Sequence, residues 1–250
     1  MTLKRMLLAA VAVLAISCSQ RPTPLSEPSE NTAADNAEGD SAIYGLACDG
    51  CTDSILVLLP RDCSDPDTFD IIDARHSRRI MGHPHIGDEM AVVLNPEDHE
   101  EVLMAIDIDE LMGQWCYMVE PTLRHIDQLS QRMQRRMMER MPDSVRSRLM
   151  VPREYGIRLK RGNTAHAIGM VRKQTITDDM SPVEYAEPPR YTSWQLYNGR
   201  LILKAEPVSV SGVTDSTATV HCDTADVVML MRDSLILQFG DRQQSFYRKK

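Results

Sequence analysis

The sequence predicts an all-β protein of two successive antiparallel barrels, a small one over residues 42–110 and a larger one over residues 111–250 that carries a helical insert. Three observations point there. Short apolar runs rich in Val, Ile, Leu and Tyr recur through both regions. Turn dipeptides separate them, among them Asp49-Gly50, Gly87-Asp88, Asn198-Gly199 and Gly240-Asp241. One long stretch, residues 121–150, has helical period instead and interrupts the second set of strands.

In the first region "AIYGLA", "SILVLLP", "TFDIIDA", "EMAVVLN" and "EVLMAIDI" read as strands. Five strands in about 70 residues suit a small closed or half-closed barrel of OB or SH3-like size. Asp49-Gly50 joins the first two runs and fits a two-residue hairpin turn. Cys48 and Cys51 flank that turn. Their spacing suits a disulfide staple, a redox centre or half of a metal site. Opposed hydrogen-bonded residues of a hairpin have Cα atoms about 5.5 Å apart, within disulfide range. No helix pattern follows to lower a thiol pKa. The staple is therefore the expected use, with the thiol or metal enzyme kept as an alternative. His83 and His85 flank Pro84 and form one half of a metal motif whose other half is missing. They are expected as turn histidines.

In the second region "GQWCYMV", "EYGIRLK", "AHAIGMVRK", "YTSWQLYN", "RLILKAEP", "TATVHCD", "DVVMLMR", "SLILQFG" and "QSFYRK" give eight or nine strands, a meander able to close on itself. Gly113 and Trp115 in "GQW", with the later "YTSWQLYNGRLIL", "VVMLMRDSLILQF" and "FYR", resemble the lipocalin-like lipoproteins of Bacteroidetes over about residues 111–250. That resemblance implies a calyx-type barrel and a small apolar ligand, with Trp115 and Trp194 inside the barrel.

The insert "PTLRHIDQLSQRMQRRMMERMPDSVRSRLM" places Leu123, Ile126, Leu129, Met133, Met137, Met141, Val145 and Leu149 on one helix face. Pro142 divides it into two helices. Seven arginines against three acids give it a local charge of +4. Such a stripe commonly packs on the adjoining core. The functional reading is a lid or ligand surface built from Met133, Arg136, Met137 and Met141, with Trp115 and Trp194 of the barrel as further ligand residues, since methionine makes an adaptable apolar surface and arginine attracts an anionic head group or an acidic membrane.

At the amino terminus Lys4 and Arg5 precede the apolar run "MLLAAVAVLAIS", which stops at Cys18. A dozen apolar residues fall short of the roughly 20 that span a bilayer and match a secretory signal, residues 1–17. "LAIS" before Cys18 resembles a bacterial lipobox, which implies an exported protein tethered to the membrane by lipid on Cys18. Residues 18–41, rich in Pro, Ser, Asn and acids, read as a disordered linker. No acidic run follows Cys18, which favours the periplasmic face of the outer membrane over the cell surface.

The formal net charge is −8, and removal of residues 1–17 would take it to −10. That argues against nucleic acid as the partner. The chain has no Gly-x-Ser-x-Gly, His-Glu-x-x-His, P-loop or Gly-x-Gly-x-x-Gly motif. No cofactor and no enzyme activity are expected. The sequence reads as a tethered binding module for a small apolar ligand, with a structural or assembly partner of an envelope complex as the alternative.

Overall fold

The computed structural model describes residues 39–169, 182–186, 188–205 and 221–250. The signal segment, Cys18 and most of the linker lie outside them. The chain divides into a unit over Met1–Ala34, outside the described residues, and a unit over Asp35–Lys250.

The first region forms β1 (Ile43–Ala47), β2 (Ile55–Pro60), β3 (Asp67–Asp70), α1 (Ile72–His76), β4 (Ile80–Met81), β5 (Glu89–Leu94), β6 (Val102–Asp107) and α2 (Ile108–Leu111). The strands make one open sheet in the order β3-β2-β1-β5-β6-β4. The sheet stops short of full closure, but its edges meet, because the Asp70 N–H at the end of β3 donates to the Glu100 carbonyl at 2.7 Å and Asp70 bridges Glu101 just before β6. "TFDIIDA" is a strand only to Asp70, whose carboxylate accepts the Ile72 N–H at 2.8 Å and turns the chain into α1. The opposite edge, β4, is two residues long and runs parallel to β6.

The expected two-residue hairpin is also absent. β1 and β2 pair with Ala47 opposite Leu58, and the Cys48 N–H reaches the Val57 carbonyl at 2.8 Å. The connection is thus a longer loop, and Asp49-Gly50 only begins it. Cys48 and Cys51 are free thiols here, and Cys51 Sγ accepts from the Val57 N–H at 3.3 Å. The two-residue turn on which a staple was expected is thus replaced by a loop that brings both cysteines against Val57.

The second region begins with β7 (Gly113–Val119) and β8 (Thr122–Leu123). The insert then forms α3 (Gln131–Arg140) and α4 (Asp143–Leu149), separated at Pro142 as expected. There follow β9 (Arg153–Lys160), β10 (Thr164–Ile168), β11 (Val183–Glu184), β12 (Tyr191–Tyr197), β13 (Arg200–Ala205), β14 (His221–Leu230), β15 (Ser234–Phe239) and β16 (Arg242–Arg248). Eight of these close a barrel in the order β10-β12-β13-β14-β15-β16-β7-β9, every pair antiparallel. This is the up-and-down layout that the meander and the lipocalin resemblance implied. Two segments read as separate strands, "TATVHCD" and "DVVMLMR", join in the single β14, although residues 217–220 lie outside the described part.

The alternation of each strand fills the barrel with Trp115, Leu159, Trp194, Leu201, Leu203 and Leu237, all at most 4% exposed. Ala42, Tyr44, Ala91, Ile106 and Leu111 of the first region belong to the same apolar cluster. The expected boundary at residue 110 therefore falls inside a shared core. The last linker residues are also held. Asp40 accepts from the Ala42 and Asn198 N–H groups at 3.0 and 2.9 Å, and the Tyr44 hydroxyl donates to it at 2.7 Å. Residues 39–41 are thus docked on the turn between β12 and β13, where disorder was expected.

Candidate functional site

The up-and-down path sorts the connections onto two ends of the barrel. At one end β9–β10, β12–β13 and β14–β15 are joined by three, two and three residues. At the other the connections β7–β9, β10–β12 and β13–β14 run through residues 120–152, 169–190 and 206–220, and only β15–β16 is tight. Much of the second and all of the third long connection lie outside the described residues.

The tight end is a plugged floor. Trp115 is fully buried and donates Nε1–H to the Leu111 carbonyl at 2.7 Å. Trp194 donates to the Lys160 carbonyl at 2.9 Å. Each indole thus satisfies its one donor and seals a strand end. Arg248 lies over the Trp115 ring at 4.1 Å. Its guanidinium donates to the carbonyls of Arg232 at 2.6 Å and Met112 at 2.8 Å, and also to that of Glu110. Gly113 explains its own place in "GQW". Its φ is +138°, and a Cβ there would collide with the Arg248 guanidinium. The expected site residues Trp115 and Trp194 are therefore structural parts of the floor. Arg248, visible in the sequence only as the end of "FYR", is the residue missed there.

The long-connection end is aromatic and charged. Tyr117, two residues along β7 from Trp115, packs edge-on against Phe246 at 5.2 Å and Tyr155 at 6.4 Å between centroids. Tyr117, Tyr191 and Phe239 pack against the barrel core without being fully enclosed. The Tyr191 hydroxyl donates to Asp223, whose other oxygen lies 3.0 Å from His221 Nε2. Arg242 stacks on Phe239 at 5.5 Å and has no carboxylate within ion-pairing distance among the described residues. Burial raises the pKa of Tyr117 and Tyr191, Asp223 raises Tyr191 further, and the Arg242 charge opposes both shifts. Arg242 thus acts electrostatically on both phenols. Counting by twos from Trp115 along the strand would have found Tyr117.

Above this end, β8 pairs with β11 and ties two of the long connections together. Tyr185 donates to the Val151 carbonyl at 2.7 Å, and Arg153 stacks on the Tyr185 ring at 3.8 Å. The insert leaves the barrel here, because Val119 at the end of β7 pairs with Arg153 at the start of β9. Its helices do not pack as the stripe suggested. Neither α3 nor α4 has a buried residue. Met133 is 54% and Met137 47% exposed, Arg136 is exposed and Met141 half-exposed.

His83 and His85 lie at the junction of sheet and barrel, in a charged recess with Asp88, Asp107, Asp109, Glu110, Arg232 and Arg248. His83 Nδ1 is 3.7 Å from Glu110, and His85 Nδ1 is 3.2 Å from Asp88. Among the described residues no three His, Cys, Asp or Glu side chains are grouped to hold a metal. Asp107 is 1% exposed and caps α2 through the Glu110 N–H at 2.8 Å. Burial, with Asp88, Glu110 and Asp109 nearby, pushes its pKa up to about 6 against the opposing Glu110 N–H.

No family model and no curated protein matches the chain. A solved lipocalin-like protein from Bacteroides thetaiotaomicron VPI-5482 is similar over 56% of this chain and 97% of its own length, with 18% sequence identity and a TM-score of 0.30.

Proposed function

We propose that the chain is an exported binding protein, anchored by lipid on Cys18 to the periplasmic face of the outer membrane, whose barrel takes a small apolar ligand at its long-connection end. The observation that carries this reading is the contrast between the ends. One is closed by tight turns, two indoles and the half-buried Arg248 guanidinium; the other presents the partly enclosed Tyr117, Tyr191 and Phe239 with Arg242, which has no carboxylate within ion-pairing distance among the described residues. Aromatic walls with a few placed polar groups are the usual make-up of a small-molecule site. The protein works by binding in this reading, and its residues need no cofactor.

The exposed methionines of α3 favour a second reading, a protein partner in an envelope complex. Native mass spectrometry of the protein purified from membranes separates the two. The binding reading expects a lipidated Cys18 and one bound small molecule per chain. A chain that arrives ligand-free, takes up no apolar compound and stays with another protein would replace it with the assembly reading.

A further inference from the structure

We propose that the groove between the open sheet and the outer wall of the barrel is a second binding site, for an amphipathic anion: an acyl chain ending in a carboxylate or phosphate. The groove has a volume of about 1150 Å³, ample against the roughly 300–1000 Å³ of ordinary small-molecule pockets. Leu56, Met81 and Met90 of the sheet form one wall, and Val228, Met231 and Ile236 of the barrel the other.

The outer face of β14 changes character where it meets this groove. Asp226 faces solvent and pairs with Arg200 at 2.6 Å. Two residues on, at the position expected to be polar, Val228 is 44% exposed, and Met231 beyond it is 47% exposed. Ile55 faces them from the sheet, 39% exposed. Apolar side chains standing in water on both walls of one groove mark a surface that something covers. The walls are held in place, because the Gly82 N–H donates to the Leu230 carbonyl at 3.1 Å and joins sheet to barrel at one end. A preformed groove loses little ordering entropy on binding.

The rim supplies the charge. Arg75, Arg78, His83 and His85 line it; Arg75 pairs with Asp53 at 2.6 Å, and His83 and His85 sit beside Glu110 and Asp88, so the charge free for a ligand is that of Arg78. Arg78 has no carboxylate within ion-pairing distance among the described residues. It stands just past α1 with φ at +57°, and the next N–H, of Arg79, reaches the Ala74 carbonyl at 2.7 Å. Glycine is the usual residue in that left-handed helix terminus. An arginine there keeps a cation at the rim in a conformation it does not favour. Apolar walls and a guanidinium with no ion-pair partner among the described residues together fit an acyl chain with an anionic end.

The test titrates the mature chain with dodecanoate, dodecyl phosphate and uncharged dodecanol by calorimetry. The groove is expected to take one anion per chain, counted as the binding that Val228→Glu removes, with dodecanol about tenfold weaker there, and the better of the two anions identifies the head group. Arg78→Gly, which relaxes the backbone, is expected to weaken the anions about tenfold and leave dodecanol unchanged. Val228→Glu is expected to abolish binding of all three, and Tyr117→Ala at the barrel mouth to leave it intact. Binding insensitive to Arg78→Gly and Val228→Glu would overturn the proposal. Loss in Tyr117→Ala alone would also overturn it, while supporting a ligand in the barrel. A dimer in sedimentation that Val228→Glu dissociates would assign the groove to a second copy of the chain and overturn it as well.

Discussion

The two ends of the barrel are built from the same eight strands and differ in almost everything else. At the floor both indole N–H groups and the Arg248 guanidinium end on backbone carbonyls. At the mouth Tyr117 and Tyr191 are only partly enclosed, Arg242 is exposed, and the connections are long. Short turns and satisfied donors make a rigid base, and binding residues commonly sit on the longer connections of such a scaffold. Stability and recognition are therefore expected to separate along the barrel axis.

The largest effect that sharpens this contrast is expected at the floor. Trp115 removes roughly 150–250 Å² from water, about 4–6 kcal/mol of burial at ~25 cal/mol/Å². Trp115→Ala is expected to cost about 3–5 kcal/mol in urea denaturation. A loss below about 1 kcal/mol would mean that the floor is no more rigid than the mouth.

Asp107, beside the floor, gives the next effect. Its folded pKa of about 6 lies above the ordinary 3.8, so the folded state holds the proton more tightly than the unfolded chain. Stability from this group is present below about pH 4 and is lost as pH rises through about 6. At about 1.4 kcal/mol per pKa unit, the loss is roughly 2–3 kcal/mol. Asp107→Asn keeps a capping oxygen and is expected to remove that part of the pH dependence. Parallel pH profiles for the two proteins would count against the buried, raised carboxylate.

The smallest effect belongs to the insert. Met133 and Met137 are about half exposed and α3 has no buried residue. The double change Met133→Ser with Met137→Ser is expected to shift the denaturation free energy by no more than about 0.5 kcal/mol per site. A cost of several kcal/mol would place the stripe in a packed interface.

The closed barrel was legible in the sequence because alternation and turn dipeptides such as Asn198-Gly199 act locally and agree with one another. The open sheet was not. "IDARH" is a helix of five residues, too short for a 3.6-residue period to declare itself against a strand-like run. The register of β1 on β2 follows from pairing across the whole sheet, so Asp49-Gly50 misled. At the site, Trp115 and Trp194 were found as large apolar residues, but which end of the barrel they occupy depends on strand direction. The Arg248–Trp115 contact joins residues at opposite ends of the barrel sequence, and nothing local announces it. A Met stripe names the apolar face of a helix without saying what covers it.

The contrast between floor and mouth is tested most directly by titrating the Val228→Glu protein, whose groove is blocked to anions, and the same protein carrying Tyr117→Ala or Arg242→Ala, with an apolar fluorescent anion such as anilinonaphthalene sulfonate, with urea denaturation of each alongside. The mouth reading predicts saturable binding at this end that weakens about tenfold or more in both variants, while stability changes less than in Trp115→Ala. Unchanged binding in both variants, or a stability loss matching that of Trp115→Ala, would contradict it.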